Sequence, residues 1–359
     1  MSKQTDAIAR GPIFPLVVRL TIPAVVAQLI TFLYNIVDRM YVAGIPDGGM
    51  DALAALGIVL PVTLILTSLA HLVGLGGAPR AGIRMGEKNL PEANRIFGTA
   101  FVLLCGIGLF AGVVTFLFAR RIVILFGCPA SAAAYAESYL KLYACGSVFA
   151  MLSQGMNPFI LTQGYSGTAM ASVLCGAICN IVLDLYFVTK LKMGVAGAAI
   201  ATVIGQFCGM CIGIYCNVRK NKEIHFSFKR MRFDGETVKE IYTVGVPSIL
   251  MMSIGSVMTY GMNYILLGFS STAAAVFGVY FKLQSFFFMP VFGLNNSLVP
   301  IIAYNYGAKN KARIMRTVKL GCGAAVTILV LGAIVFQTMP DTLLRMFNAS
   351  EDMIGIGVK

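Results

Sequence analysis

Long apolar blocks, separated by brief polar interruptions, recur along the whole chain. A hydrocarbon core about 30 Å thick takes roughly 20 consecutive apolar residues in a helix. Nine blocks meet that length, at about 14–43, 54–78, 96–118, 135–160, 168–189, 195–217, 240–268, 274–303 and 316–338, and a stub at 348–359 follows. Several begin beside punctuation, as at Gly245-Val246-Pro247. The pattern predicts an all-α polytopic membrane protein. The polar start MSKQTDAIARGPIF and the full-length first block argue against a cleavable signal peptide.

Composition agrees with the pattern. The chain is 58% hydrophobic and 12% charged, and a soluble domain carries about twice that share of charge. The positive residues fix an orientation. With the N-terminus in the cytoplasm, 19 of the 28 lysines and arginines fall on the inner side. They are Lys3, Arg10 and Arg19, then Arg80, Arg84, Lys88 and Arg95, then seven in 218–239, then Lys309, Lys311, Arg313, Arg316 and Lys319. Arg120, Arg121, Lys190, Lys192 and Arg345 fall outside. The net charge of +13 is therefore a topology signal and does not call for a nucleic-acid partner. The longest polar stretch, VRKNKEIHFSFKRMRFDGETVK at 218–239, reads as a cytoplasmic linker between two halves. Its basic residues set topology, with an inositol-lipid site as the alternative.

Other polar features carry less. Most of the nine cysteines sit inside apolar blocks. Cys208-Gly-Met-Cys211 has CxxC spacing but lies mid-helix without further ligands, so these read as packing residues and not as a metal or redox centre. His71 reads as a hydrogen-bonded structural histidine, a proton carrier being the other reading. The chain holds no HExxH or GxSxG motif and no carboxylate pair with a histidine, so an enzyme is not expected.

The chain repeats itself. Gly86 in GEKN and Gly307 in GAKN lie 221 residues apart, as do Gly57 and Gly278. LTIPAVVAQL around Pro23 matches VGVPSILMMS around Pro247 at 224, and the extra turn PDGGM in the first half accounts for the difference. Spans 1–2 thus recur as spans 7–8. Six spans separate the copies, so both have the same orientation, a parallel repeat about an axis along the membrane normal. The expected domains are a six-helix bundle over 1–217, the linker over 218–239, and a partial bundle over 240–359 with three helices and the start of a fourth. Overall this is two pseudo-symmetric helix bundles, the second incomplete.

Of the 15 acidic residues, only Asp38, Glu137 and Asp184 lie in or at the edge of a span. A carboxylate in the membrane is costly unless paired, protonated or ion-bound, which makes it a functional candidate. Asp38 and Asp184 each sit about five residues from the outer end of an outward-running span. Thr202 and Tyr139 lie near the outer start of inward-running spans, so all four share a depth in the outer half. Asn180 shares a helix face with Asp184, and Asn35 shares one with Asp38. The six residues outline an oxygen-rich cage in the first bundle. The plainer readings are a helix-end contact of Asp38 with Arg39 and an interhelical hydrogen bond of Asp184. Glu137 sits near the surface and reads as solvated.

YNIVDRMYVAG in span 1, CNIVLDLYFV in span 5, GVAGAAIATVIGQ in span 6 and FMPVFGLNNSLVPIIAYNYGAKN in span 8 resemble the multidrug and toxic compound extrusion (MATE) transporters. The resemblance covers essentially the whole chain in order and spacing. It implies two six-helix bundles in a V, and exchange of entering H⁺ or Na⁺ for departing organic cations and amphipathic compounds. It implies the same cage for ion coupling: Asp38, Asn180, Asp184, Thr202 and Tyr139. The second bundle offers no counterpart, since Asp38 maps to Met262. Neutralising Asp38 and Asp184 would relieve their repulsion, and Pro23 gives span 1 a place to bend. No cofactor is expected beyond the coupling ion, and no metal beyond Na⁺.

The substrate wall is drawn from Met251, Met252, Tyr260, Asn263, Lys282, Gln284, Phe287 and Met289, since methionine and aromatic surfaces suit promiscuous binding. Each of these is equally a candidate for ordinary helix packing or lipid contact. The expected setting is the inner membrane, multi-pass, as a monomer among lipids with small organic cations as partners. The family has twelve helices, and the pattern yields nine. At the 221 offset Tyr139 maps to position 360, so the chain reads as C-terminally incomplete. A lipid or lipid-linked oligosaccharide flippase of the same superfamily is the alternative. Its cavity would need more cationic groups than Lys141 and Lys282. A non-transporting truncated remnant is the third reading.

Overall fold

The computed structural model describes residues 2–45, 48–219, 223–224, 233–345 and 351–358, with the side chains of Ser271 and Glu351 excepted. The described residues are helical without strand. In chain order they form α1 (Lys3–Arg10), α2 (Ile13–Ala43), α3 (Gly49–Gly86), α4 (Leu90–Leu125), α5 (Ala130–Cys145), α6 (Ser147–Thr162) and α7 (Ser166–Asp184). A π-helical stretch, Leu185–Lys190, continues α7. Then come α8 (Gly194–Arg219), α9 (Gly235–Leu267), α10 (Ser271–Gly307), α11 (Lys311–Thr338), α12 (Pro340–Arg345) and α13 (Glu351–Gly357).

Among the described residues, eight helices are long and apolar enough to cross a membrane. Hydrophobic side chains such as Phe110, Leu117 and Leu125 stand exposed on their outer faces, as lipid contact requires. The sequence pattern predicts nine continuous apolar spans; the described residues instead form thirteen α-helical segments, of which eight are long and apolar enough to span. The apolar block at 135–160 is two helices of 16 residues, broken at Gly146. At that break Ser147 turns onto α4 and donates from Oγ to the Gly108 carbonyl at 2.7 Å. Gly112 leaves the room for it, since a Cβ there would lie 2.3 Å from the Ser147 hydroxyl. The short α1, α12 and α13 are too small to register as apolar blocks. Most of the expected linker at 218–239 lies outside the described residues.

The duplicated tetrads fold alike. Lys88 and Lys309 both adopt the left-handed conformation, φ 61° and 57°. Each turn then ends its helix with a backbone bond back across the last turn, Asn89 N to Arg84 O and Asn310 N to Asn305 O, both 2.9 Å. Each Asn side chain caps the next helix, accepting from Glu92 N and from Arg313 N. One polar tetrad thus stops one long helix and starts another.

Between the bundles, helices meet on small residues, as expected where close packing replaces hydrophobic driving force. A Cβ on Gly86 would lie 1.9 Å from Tyr304 O, and a Cβ on Gly307 would lie 1.9 Å from Ile83 O. These contacts are related by the 221 offset, so the loops face each other across the repeat axis. Flanking them, Gly76 lies on Ile241 and Gly245 on Leu72. At the repeat-related position Thr21 and Ser297 share a 2.6 Å hydrogen bond. The seam runs up to Phe32 and Phe286, packed edge to face at 5.5 Å. The C-terminal half of α9 is exposed, as at Met251 and Tyr260. The bundles therefore close at the end that carries the GEKN and GAKN turns and part toward the opposite end.

Candidate functional site

Four helices of the first bundle bring the candidate cage together. Asp38 stands on α2, Tyr139 on α5, Asn180 and Asp184 on α7, and Thr202 on α8. Close approach of α7 and α8 comes from two facing glycines. A Cβ on Gly205 would lie 2.7 Å from the Gly176 carbonyl and 3.2 Å from the Asn180 Cβ. Asn180 Nδ2 therefore reaches Thr202 Oγ1 at 3.3 Å. The Thr202 hydroxyl in turn donates to the Ala198 carbonyl at 2.9 Å.

Asp184 is fully buried, Asn180 and Tyr139 are buried, and Asp38 is half-buried. The Asp38 and Asp184 carboxyl groups lie close enough to interact electrostatically. Among the described residues no donor reaches Asp38 Oδ1, Asn180 Oδ1 or either oxygen of Asp184. Buried acceptors without donors are costly, and two facing carboxylates add repulsion. Four acceptor oxygens gathered at one depth are the arrangement that a proton or a hard cation satisfies. Asp184 is also the last α-helical residue before the π-helical stretch, and such widened turns recur at functional sites.

Asn35 does not join this group: it is exposed, and its Nδ2 donates to Thr31 O at 2.6 Å on its own helix. Glu137 pairs with Lys141 at 2.7 Å on the half-exposed edge of α5. Two residues that the sequence reading passed over belong to the site. Tyr143 is buried and stacks on Tyr139 with centroids 6.2 Å apart, and Tyr34 interacts with Asp38. Both lie four residues from a cage member on the same helix face, and that spacing was the available signal.

Pro23 has a local consequence. Without an amide hydrogen it cannot bond the Arg19 carbonyl one turn back. Ser166 Oγ at the start of α7 takes that carbonyl at 3.4 Å. Beside it, an open groove of about 560 Å³ lies between α2, α7 and α8, with Arg19, Pro23, Tyr165 and Tyr215 on its wall. The proline thus sits at a weak point of α2 beside this groove.

The candidate substrate wall divides. Met251, Met252, Tyr260 and Lys282 are exposed, while Asn263, Gln284 and Met289 are half-buried. Phe287 packs inside the second bundle, against Gly332 and the Phe336 ring. Cys179 and Cys208 touch, Sγ to Sγ 3.6 Å. Among the described residues no group of three or more His, Cys, Asp or Glu is arranged to hold a metal.

Residues 23–186 and 247–359 match the MatE family model. The multidrug export protein MepA of Staphylococcus saprophyticus is 25% identical over 349 residues, 97% of this chain and 76% of that protein. A crystal structure of MATE in the bent conformation superposes with a TM-score of 0.91 at 22% identity, over 100% of this chain and 80% of that one. The outward-facing conformation of a multidrug resistance MATE family transporter of the MOP superfamily gives 0.89 at 22% identity, over 100% and 79%. The family match reaches residue 359, and the expectation of a C-terminally incomplete member with nine of twelve helices finds no support in it.

Proposed function

Because the chain belongs to the MatE family, whose model matches both of its halves, we propose that it is a multidrug efflux transporter that exports amphipathic organic cations in exchange for H⁺ or Na⁺. The observation that carries this reading is the cluster of buried acceptor oxygens at Asp38, Asn180 and Asp184, which no protein donor reaches among the described residues. A cation or proton entering from the outer side completes that cluster. Once the Asp38–Asp184 repulsion is gone, α2 draws toward α7, bending at Pro23. The cleft above Phe32 and Phe286 narrows, and a bound cation leaves outward. Thr202 holds Asn180 in place, and Tyr139 and Tyr143 wall the site.

In this reading the first bundle couples and the exposed face of α9 lines the drug path. Met251, Met252 and Tyr260 supply apolar and aromatic surface there, while Lys282 sets the charge balance of the opposite wall. The transporter works as a monomer in the cell membrane, with its N-terminus in the cytoplasm. Ethidium efflux from energised cells tests the proposal. Efflux from the parent chain that disappears in Asp38→Asn supports it, and equal efflux from both removes Asp38 from the coupling site.

A further inference from the structure

We infer that α1 is a strap locking the cytoplasmic seam, with Glu223 and Arg313 as its two clasps. Glu223 is buried and is held to the first bundle through its backbone. Its carbonyl accepts from Asn94 Nδ2 at 2.9 Å, and the next residue, Ile224, donates its amide to Gln163 Oε1 at 3.4 Å. The Glu223 carboxylate accepts from Ser2 N at 2.9 Å and from the Thr5 hydroxyl, both at the N-terminal end of α1. At the other end, Arg313 of α11 donates from Nε to Ile8 O at 3.0 Å and from Nη2 to Ala7 O at 3.2 Å. Asn305 of α10 adds Nδ2 to Ile8 O at 3.2 Å. A continuous chain of hydrogen bonds thus runs from the first bundle through α1 into the second.

The charges suit the task. A helix carries partial positive charge at its N-terminus and partial negative charge at its C-terminus. Glu223 offers an anion at the first end and Arg313 a cation at the second. An eight-residue helix is too short to persist by itself in water. Its order therefore depends on its surroundings, on burial of Ile8 together with both clasps, and release of either clasp loosens the strap. If the second bundle swings away on the cytoplasmic side, Arg313 and Asn305 move off while Glu223 stays with the first bundle. Opening inward must therefore break the strap, and an intact strap favours the outward-open arrangement.

This inference rests on the two-bundle transporter reading but not on its coupling ion. Amide hydrogen exchange of the full chain in lipid nanodiscs tests it, comparing the parent with Glu223→Gln and Arg313→Gln. Glu223→Gln keeps the side chain's size and removes its charge, while Arg313→Gln shortens the side chain and removes both its charge and its guanidinium donors. Charged hydrogen bonds are roughly twice as strong as neutral ones, so exchange in α1 and in seam segments 72–86 and 297–307 should rise about fivefold in either variant. At the same time, exchange in the outer half of α9 should fall as the outer side closes. Arg313→Lys, which keeps the charge, should fall between. Unchanged seam exchange in both variants overturns the inference. Equal loosening of both faces also overturns it, since α1 would then be a general prop. Because the two variants test opposite ends, failure of one to insert leaves the other decisive. The readout needs no transport, so its failure is separable from failure of the antiport reading.

Discussion

One methyl group at Gly86 should loosen the seam where the GEKN and GAKN turns meet. A Cβ there would lie 1.9 Å from the Tyr304 carbonyl oxygen and 2.9 Å from the Ala308 amide, where ordinary contact begins at 3.4 Å. The obstacle is backbone, so no side chain can swing aside. The ends of α3 and α10 that meet at Gly86 and Tyr304 must part by about 1.5 Å. A gap of about 0.5–1 Å already forfeits a quarter to a half of each van der Waals well, and overpacking of tight interfaces costs about 1–3 kcal/mol. Alanine also favours helix over glycine by about 1 kcal/mol, but α3 is helical whether the seam is open or closed, so that gain cancels. The closed arrangement should therefore lose about 1–3 kcal/mol relative to the open one, a population shift of about 5- to 150-fold. The reporter is a cysteine pair at Thr21 and Ser297, whose hydroxyl oxygens lie 2.6 Å apart across the seam. In a background freed of native cysteines, mild oxidation should cross-link the pair in the parent, and Gly86→Ala should lower the yield at least fivefold. Gly106→Ala, with no atom within 4 Å of the new methyl, serves as the control and should change nothing. Equal cross-linking in the parent and Gly86→Ala would refute the argument that the duplicated glycines set the closed seam.

Other outcomes follow from single residues. Asp234 caps α9, accepting from the Thr237 hydroxyl and from Thr237 N at 3.0 Å, with Arg95 3.7 Å away. The Thr237 side-chain bond, then its backbone bond, holds the Asp234 carboxyl below the usual carboxylate range. The cap's contribution is therefore complete above the unfolded carboxylate value of about 4 and is lost as pH falls through the lowered folded value. Hydrogen exchange in the first turn of α9, corrected for intrinsic rates, should rise only in that acid window in the parent, and Asp234→Ala should abolish the step. Pro23→Ala restores an amide able to bond the Arg19 carbonyl, which stiffens α2. Maximal efflux should fall several-fold while drug affinity stays within about twofold, and normal turnover would refute the bending role.

Much of the fold was legible because lipid imposes a length and a composition on every spanning helix. The Asp38, Asn180 and Asp184 set was legible for a related reason. Carboxylates are rare in apolar blocks, and helix rise converts sequence position into depth. What escaped was decided by contacts between distant segments. Hydropathy summed over a window runs smoothly through Gly146, where α5 breaks because Ser147 must reach the Gly108 carbonyl. α1 is polar and short, and its bonds to Glu223, Asn305 and Arg313 and the burial of Ile8 give it a place. Asn35 shares a face with Asp38 by spacing, yet its amide turns back to Thr31 O, a local bond that spacing cannot exclude. The GEKN and GAKN tetrads showed the repeat at once, but their mutual contact across the axis appears only in three dimensions.

The measurement that bears most directly on the account is gradient-driven transport in proteoliposomes. A fluorescent organic cation would be followed under an imposed H⁺ or Na⁺ gradient with the parent chain, Asp38→Asn and Asp184→Asn. The account predicts cation movement against the ion gradient in the parent, none in either variant, and retained cation binding in all three. Gradient-driven movement in Asp38→Asn equal to the parent would contradict coupling through the first bundle.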